Sequence, residues 1–267
     1  MGMMKFSALG FGVSGAHGTP LVPASETLAL IEAAVQGGVR VFDTGPSYGA
    51  GEAERRLGLA LKALDRSDLV VCTKAGLTSH GLAGRRRDLS PDGVETSVRA
   101  SLDRLGVEGV DILFLHGAAP HELDADLLAR LRALKQAGAF RALGAAGRGP
   151  ALDWALDAGW FEVLMAPVHP FLDSAETAAL DRAAQAGLPI LAIETAGDAP
   201  PRWRAPRSLA DFYPLAKRVR SQGAGRGRIA VPDGLKLALG RPGVVSALFT
   251  TTRAAHLDSN LASVGLS

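Results

Sequence analysis

The chain has 267 residues, 47% of them hydrophobic, and its 29 basic and 27 acidic side chains leave a net charge of +2. That near-balance, Arg-rich but without a polybasic run, does not suggest nucleic acid, and no apolar stretch reaches the roughly 20 residues that span a bilayer. The single cysteine, Cys72, rules out an internal disulfide, and residues 1–12 lack the charged start and long apolar core of a signal peptide, so a soluble, cytoplasmic protein is expected.

Along the chain, short apolar runs alternate with amphipathic stretches rich in Ala, Leu and Arg. Strands are expected over 6–13, 39–43, 69–74, 110–116, 141–146, 162–167, 189–194 and 244–250. Helices are expected over 25–36, 52–64, 91–105, 125–137, 150–158, 174–186, 208–222 with 232–239, and 254–264. Ser25 and Ser90 stand at N-cap positions, and Gly37, Gly106, Gly138, Gly159 and Gly187 follow helices as stops. Eight βα units without a break in composition predict one α/β domain over 1–267, a (β/α)8 TIM barrel, which typically needs about 250 residues. An open, doubly wound sheet is the alternative, because strand order cannot be read from the pattern.

Two stretches fit the alternation less simply. Gly10, Gly12 and Gly15 spell GxGxxG after the first strand, but Pro20 and Pro23 follow in place of a helix, which argues against a dinucleotide-binding turn. Residues 195–228, with Trp203, Arg202, Arg204 and Arg207 among prolines, form the long loop after the seventh strand, on the face where such barrels bind ligands.

Chemistry gathers at the strand ends. Asp43 closes the second strand, Tyr48 follows it in a glycine-rich turn, Lys74 closes the third strand and His116 the fourth. In a barrel these ends converge on one mouth. A phenol titrates near pH 10 and is a poor proton donor until a nearby cation favours the phenolate, which Lys74 would supply. Asp43 would hold Lys74 and keep it charged, and His116 would direct a carbonyl oxygen toward Tyr48. His17, His80 and His121 have no metal-ligand spacing, so no metal is expected. His169, after the sixth strand, is a further polar group within reach of the mouth.

The segments FDTGPSYGAGEAERRLG, VVCTKAG and SVRASLDRLGVEGVDILFLHG resemble the aldo-keto reductases. The resemblance is most specific over 6–116 and extends, more weakly, along the whole chain. It implies a (β/α)8 barrel with an Asp, Tyr, Lys and His tetrad at Asp43, Tyr48, Lys74 and His116, and reduction of a carbonyl or sugar-like small molecule by NADPH. Tyr48 is then the acid in reduction and the base in oxidation. The resemblance places further cofactor contacts at Gly144, Met165, Gly197, Thr251, Arg253 and Asn260, His256 standing where many members carry Arg.

Several of these positions depart from the family pattern. The Gly, Val, Ser, Asn run of the fifth strand reads Gly144, Ala145, Ala146, Gly147, the Gln of the sixth is Met165, and the stacking Tyr of the seventh is Ile193. An SPLG-like phosphate loop reads ETAG, ending at Gly197. Losing neutral carboxamide contacts costs on the order of 1 kcal/mol for each hydrogen bond. Two further readings therefore stand beside the reductase: a lyase or isomerase using the tetrad without hydride, and a barrel without turnover. The substrate and the oligomeric state are not written in these motifs.

Overall fold

A computed structural model describes residues 4–79, 84–199, 209–211, 213 and 225–266. Its strands are β1 (Leu9–Gly12), β2 (Val41–Asp43), β3 (Val70–Ala75), β4 (Leu77–Ser79), β5 (Arg85–Arg87), β6 (Val110–His116), β7 (Phe140–Ala146), β8 (Val163–Pro167), β9 (Ile190–Ile193) and β10 (Val244–Phe249). The described α-helices are α1 (Ala24–Gln36), α2 (Glu52–Leu61), α3 (Pro91–Leu105), α4 (Ala125–Gln136), α5 (Pro150–Ala158), α6 (Ser174–Gln185), α7 (Val231–Leu239) and α8 (Ala254–Ser263).

Eight parallel strands, β1, β2, β3, β6, β7, β8, β9 and β10, pair in that order, and β10 closes back on β1. The closed barrel settles the strand order and excludes the open sheet. Side chains alternate between the inside of the barrel and the helix layer, so both faces of its strands are largely buried. Val41, Val70, Cys72, Ile112, Phe114, Met165, Leu191 and Leu248 fill the inside, whereas Phe42, Val71, Leu113, Leu115 and Leu164 pack outward with Leu57, Val98, Leu127 and Leu180 of the helices. Burying each such side chain contributes roughly 1.5–3 kcal/mol. Gly144 belongs to this packing, since a Cβ there would stand 2.3 Å from the Phe114 ring on the neighbouring strand.

Helix punctuation is partly as expected. Ser90 caps α3, its Oγ accepting from Gly93 N, and Gly106 ends it at φ +65°. At α1 the N-cap is Pro23, not Ser25, and the helix opens at Ala24 without a side-chain cap. α2 ends at Leu61, short of residue 64, and β9 ends at Ile193. Of the helix expected over 208–222, only 209–211 and 213 are described, Leu209–Asp211 forming a 3-10 turn. Trp203, Arg202, Arg204, Arg207 and His80 lie outside the described residues.

The GxGxxG stretch carries Gly10 and Gly12 on β1 and runs into the 3-10 turn Gly15–Gly18. Within that turn His17 is fully buried. Its Nε2 donates to Thr251 O at 2.9 Å and its Nδ1 accepts from Thr27 Oγ1 at 3.1 Å, a tautomer set by these partners, and burial pushes its pKa down. β4 and β5 have no counterpart in the apolar pattern. They form an antiparallel hairpin at the exit of β3, entered through Gly76 at φ +93°.

Candidate active site at the barrel mouth

Alternation along β2 turns Val41 and Asp43 inward and Phe42 outward, and the same rule turns Cys72 and Lys74 inward on β3 and Phe114 and His116 inward on β6. Three neighbouring strands therefore end with a carboxylate, an ammonium and an imidazole at one mouth. Tyr48 follows β2 and precedes the turn Gly49–Gly51, which presses on Gly18: a Cβ at Gly49, whose φ is +62°, would stand 1.9 Å from Gly18 O. Only glycine fits there. Among the described residues the two non-glycine positions with positive φ are Ala50, beside Tyr48, and Glu194, at the β9 exit. Such backbone strain costs of order 1–3 kcal/mol and clusters at functional sites.

Lys74 Nζ donates to Asp43 Oδ1 at 2.6 Å, to Oδ2 at 2.5 Å and to Thr44 O at 2.8 Å. It also lies 5.2 Å from the centre of the Tyr48 ring, within cation–π range. Lys74 and Asp43 are 2% and 6% exposed, so water screens the pair little. Burial would lower the Lys74 pKa, but the Asp43 carboxylate overcomes it and the ammonium is held charged, above its ordinary range. Behind Lys74, Thr73 Oγ1 donates to the buried Glu54 at 2.6 Å and Arg104 Nε donates to the other Glu54 oxygen at 2.6 Å, tying β3 to α2 and α3.

His116 is half-buried, and its Nδ1 is buried with no hydrogen-bond partner among the described residues. Burial first, then the charges of Lys74, Arg85, Arg87 and Arg148, push its pKa down to about 4. The imidazole is therefore neutral at pH 7, able to donate one hydrogen bond without carrying charge.

The other half of the mouth differs. Ala146 at the end of β7, Met165 inside β8 and Ile193 at the end of β9 offer no side-chain N–H or O–H donor or oxygen acceptor, and Gly147 follows Ala146. Above them Arg148 makes a two-armed ion pair with Glu194, joining the β7 and β9 exits. His169 turns its Nδ1 to Phe171 N at 3.2 Å, so it closes its own loop. Gly197, at φ +98°, lies where a Cβ would meet Gly227 O at 2.3 Å, at the neck of the long loop after β9.

Between β10 and α8, Thr251 Oγ1 accepts from Arg253 N at 3.2 Å, and Arg253 is the N-cap of a helix start that no side chain caps. Asn260 is buried on α8, seven residues beyond Arg253. An uncapped helix start carrying an arginine suits an anionic group, so a dinucleotide fits at its phosphate end. A carboxamide finds no side-chain partner at Ala146, Gly147 or Met165.

The structure thus brings Asp43, Lys74, Tyr48 and His116 to one half of the mouth and sets Thr251 and Arg253 apart on the β10 side. Sequence reasoning missed Arg85, Arg87, Arg148, Glu194 and Thr44. A signal existed for the arginines: the run at 85–87 lies in the connection between the third strand and the helix that begins at Pro91, and Arg148 directly follows the Ala146, Gly147 exit.

A closed (β/α)8 barrel with a buried carboxylate–ammonium pair beside a phenol at the C-terminal ends of its strands defines the class. The chain belongs to the aldo/keto reductase family, whose sequence profile matches residues 8–266. It is 32% identical over 173 residues to a D-threo-aldose 1-dehydrogenase of Pseudomonas sp, covering 57% of this chain and 53% of that protein. It is 38% identical over 151 residues to an L-galactose dehydrogenase of Arabidopsis thaliana, covering 54% and 46%. The chain thus spans about half the length of the curated relatives it matches. Among solved structures, an aldo-keto reductase from Bacillus halodurans in its holo form superposes with a TM-score of 0.77 at 20% identity, covering 98% of this chain and 88% of that one. A glycerol dehydrogenase from Gluconobacter oxydans gives 0.74 at 22% identity, covering 98% and 88%. At these identities the structures attest the fold.

Proposed function

We propose that the protein interconverts a carbonyl compound, an aldehyde, ketone or sugar, and its alcohol with NADP(H), with Tyr48 as the proton-transferring group. The observation that carries this reading is the buried Asp43–Lys74 pair beside the Tyr48 ring, facing a neutral His116. The names of the relatives, sugar dehydrogenases among them, support it.

When bound, NADPH supplies hydride to the carbonyl carbon. His116 donates a hydrogen bond that orients the carbonyl oxygen. Tyr48 Oη gives its proton to that oxygen, and the Lys74 ammonium, fixed by Asp43 and Thr44 O, stabilises the phenolate left behind until water reprotonates it. In oxidation the same groups run backward, Tyr48 taking the alcohol proton. Thr251 and Arg253 would hold the phosphate end of the cofactor, with the Gly197 loop beside them. The test is a fluorescence titration with NADPH followed by aldehyde reduction. Saturable binding and turnover that collapses in Tyr48→Phe are expected. No binding up to millimolar NADPH would overturn the redox reading and leave proton transfer without hydride, which the apolar half of the mouth favours.

A further inference from the structure

The hairpin β4–β5 stands beside the Tyr48 turn at the exit of β3, and its three-residue second strand is Arg85, Arg86, Arg87. Side chains on a strand alternate, so Arg85 and Arg87 share one face and Arg86 takes the other. Arg86 accordingly lies near Asp88, at 3.8 Å, away from that shared face. The direction of the shared face is fixed by Arg87, whose guanidinium donates to Gly117 O, one residue beyond His116, and to Glu122. Arg85 thus faces the His116 side of the mouth.

Charge accounting then singles out one residue. The cations that bear on His116 are Lys74, Arg85, Arg87 and Arg148. Lys74 is matched by Asp43, Arg87 by Glu122 and Arg148 by Glu194. The Arg85 side chain has no ion pair or hydrogen bond among the described residues, and it is exposed. Among the described residues, Arg85 is therefore the one guanidinium bearing on His116 that is left unmatched, and the His116 Nδ1 is likewise unpartnered. A guanidinium in this setting recognises a carboxylate or phosphate through paired N–H donors.

Resting on the carbonyl-reductase reading above, we propose that the substrate is an anionic carbonyl compound, an aldehyde or ketone bearing a carboxylate or phosphate, with Arg85 holding the anionic group while His116 and Tyr48 face the carbonyl oxygen. The neutral sugars in the names of the relatives would then be poorer substrates than their acid counterparts.

The experiment titrates histidine-labelled protein with benzoate and with its neutral analogue benzamide, following the His116 imidazole by NMR. Benzoate is expected to shift His116 saturably and to bind about tenfold tighter than benzamide at low ionic strength, the scale of one charge-assisted hydrogen-bonded pair. R85A should abolish most of that preference and added salt should weaken it, while R86A, altered on the opposite face, keeps it. Because Arg85 is exposed, R85A should fold normally, which its circular dichroism checks. Equal affinities, a preference untouched by R85A, or no benzoate effect at His116 overturns the proposal. Turnover distinguishes the two readings. An aldehyde benzoate bound with Arg85-dependent preference but not reduced by NADPH defeats the reductase and leaves the anion site standing. Reduction that is no faster than that of the matching aldehyde benzamide defeats the anion site and leaves the reductase standing.

Discussion

The two halves of the barrel mouth share one strand geometry and carry opposite kinds of side chain. On β2, β3 and β6 the last inward positions are Asp43, Lys74 and His116, joined by buried hydrogen bonds and charge. On β7, β8 and β9 the inward positions toward the mouth carry Ala146, Met165 and Ile193 instead, with Pro167 ending β8. The first half is built around a buried ion pair, which persists only where its partners satisfy each other. The second half presents no such polar side chain at these positions, so a cofactor there would depend on its phosphate end for affinity.

The largest effect that tests this contrast is Lys74→Met. It strands Asp43 as a buried carboxylate without its cation, so we predict a loss of roughly 3–5 kcal/mol in urea unfolding together with loss of carbonyl reduction. Wild-type stability in that variant would break the account of the first half. Next comes Tyr48→Phe, predicted to cut the reduction rate by about 10²–10⁴-fold at unchanged stability, measured by NADPH absorbance under saturating aldehyde.

A smaller effect concerns pH. The His116 pKa is depressed from the ordinary 6.5 to about 4, so in this window the unfolded chain binds the extra proton and the native one does not. The stability contributed is complete above pH 6.5 and declines as pH falls toward 4. His116→Gln should flatten that slope in urea midpoints taken across the window, and an unchanged slope would place its origin elsewhere. The smallest effect is on the second half. Met165→Gln, buried and close in volume, is predicted to tighten NADPH binding by about fivefold if it restores one amide hydrogen bond. Unaltered affinity in the fluorescence titration would mean that the nicotinamide does not lie against β8.

Much of the first half was legible in the sequence because its signals are local. Asp43, Lys74 and His116 each end an apolar run, and a period-two pattern fixes which face such a residue takes once the run is a strand. The boundaries moved by a few residues, as at Ala24, Leu61 and Ile193, where caps and pairing partners decide the last turn or rung. The hairpin β4–β5 left no apolar trace because it is not part of the barrel core, and its strands are held by backbone pairing to each other.

The sequence by itself determined the eightfold alternation of strand and helix, the inward facing of the residues at the strand ends, and the turn glycines that let Tyr48 follow Asp43. Only the tertiary structure decided barrel closure and the pairs that join distant loops: Arg148 with Glu194, Arg87 with Glu122, and His17 with Thr251. These partners lie 46, 35 and 234 residues apart, and a contact at such separation has no periodicity to betray it. It exists because the closed barrel brings its loops to one face, and that same closure leaves Arg85 on the His116 side without a partner among the described residues.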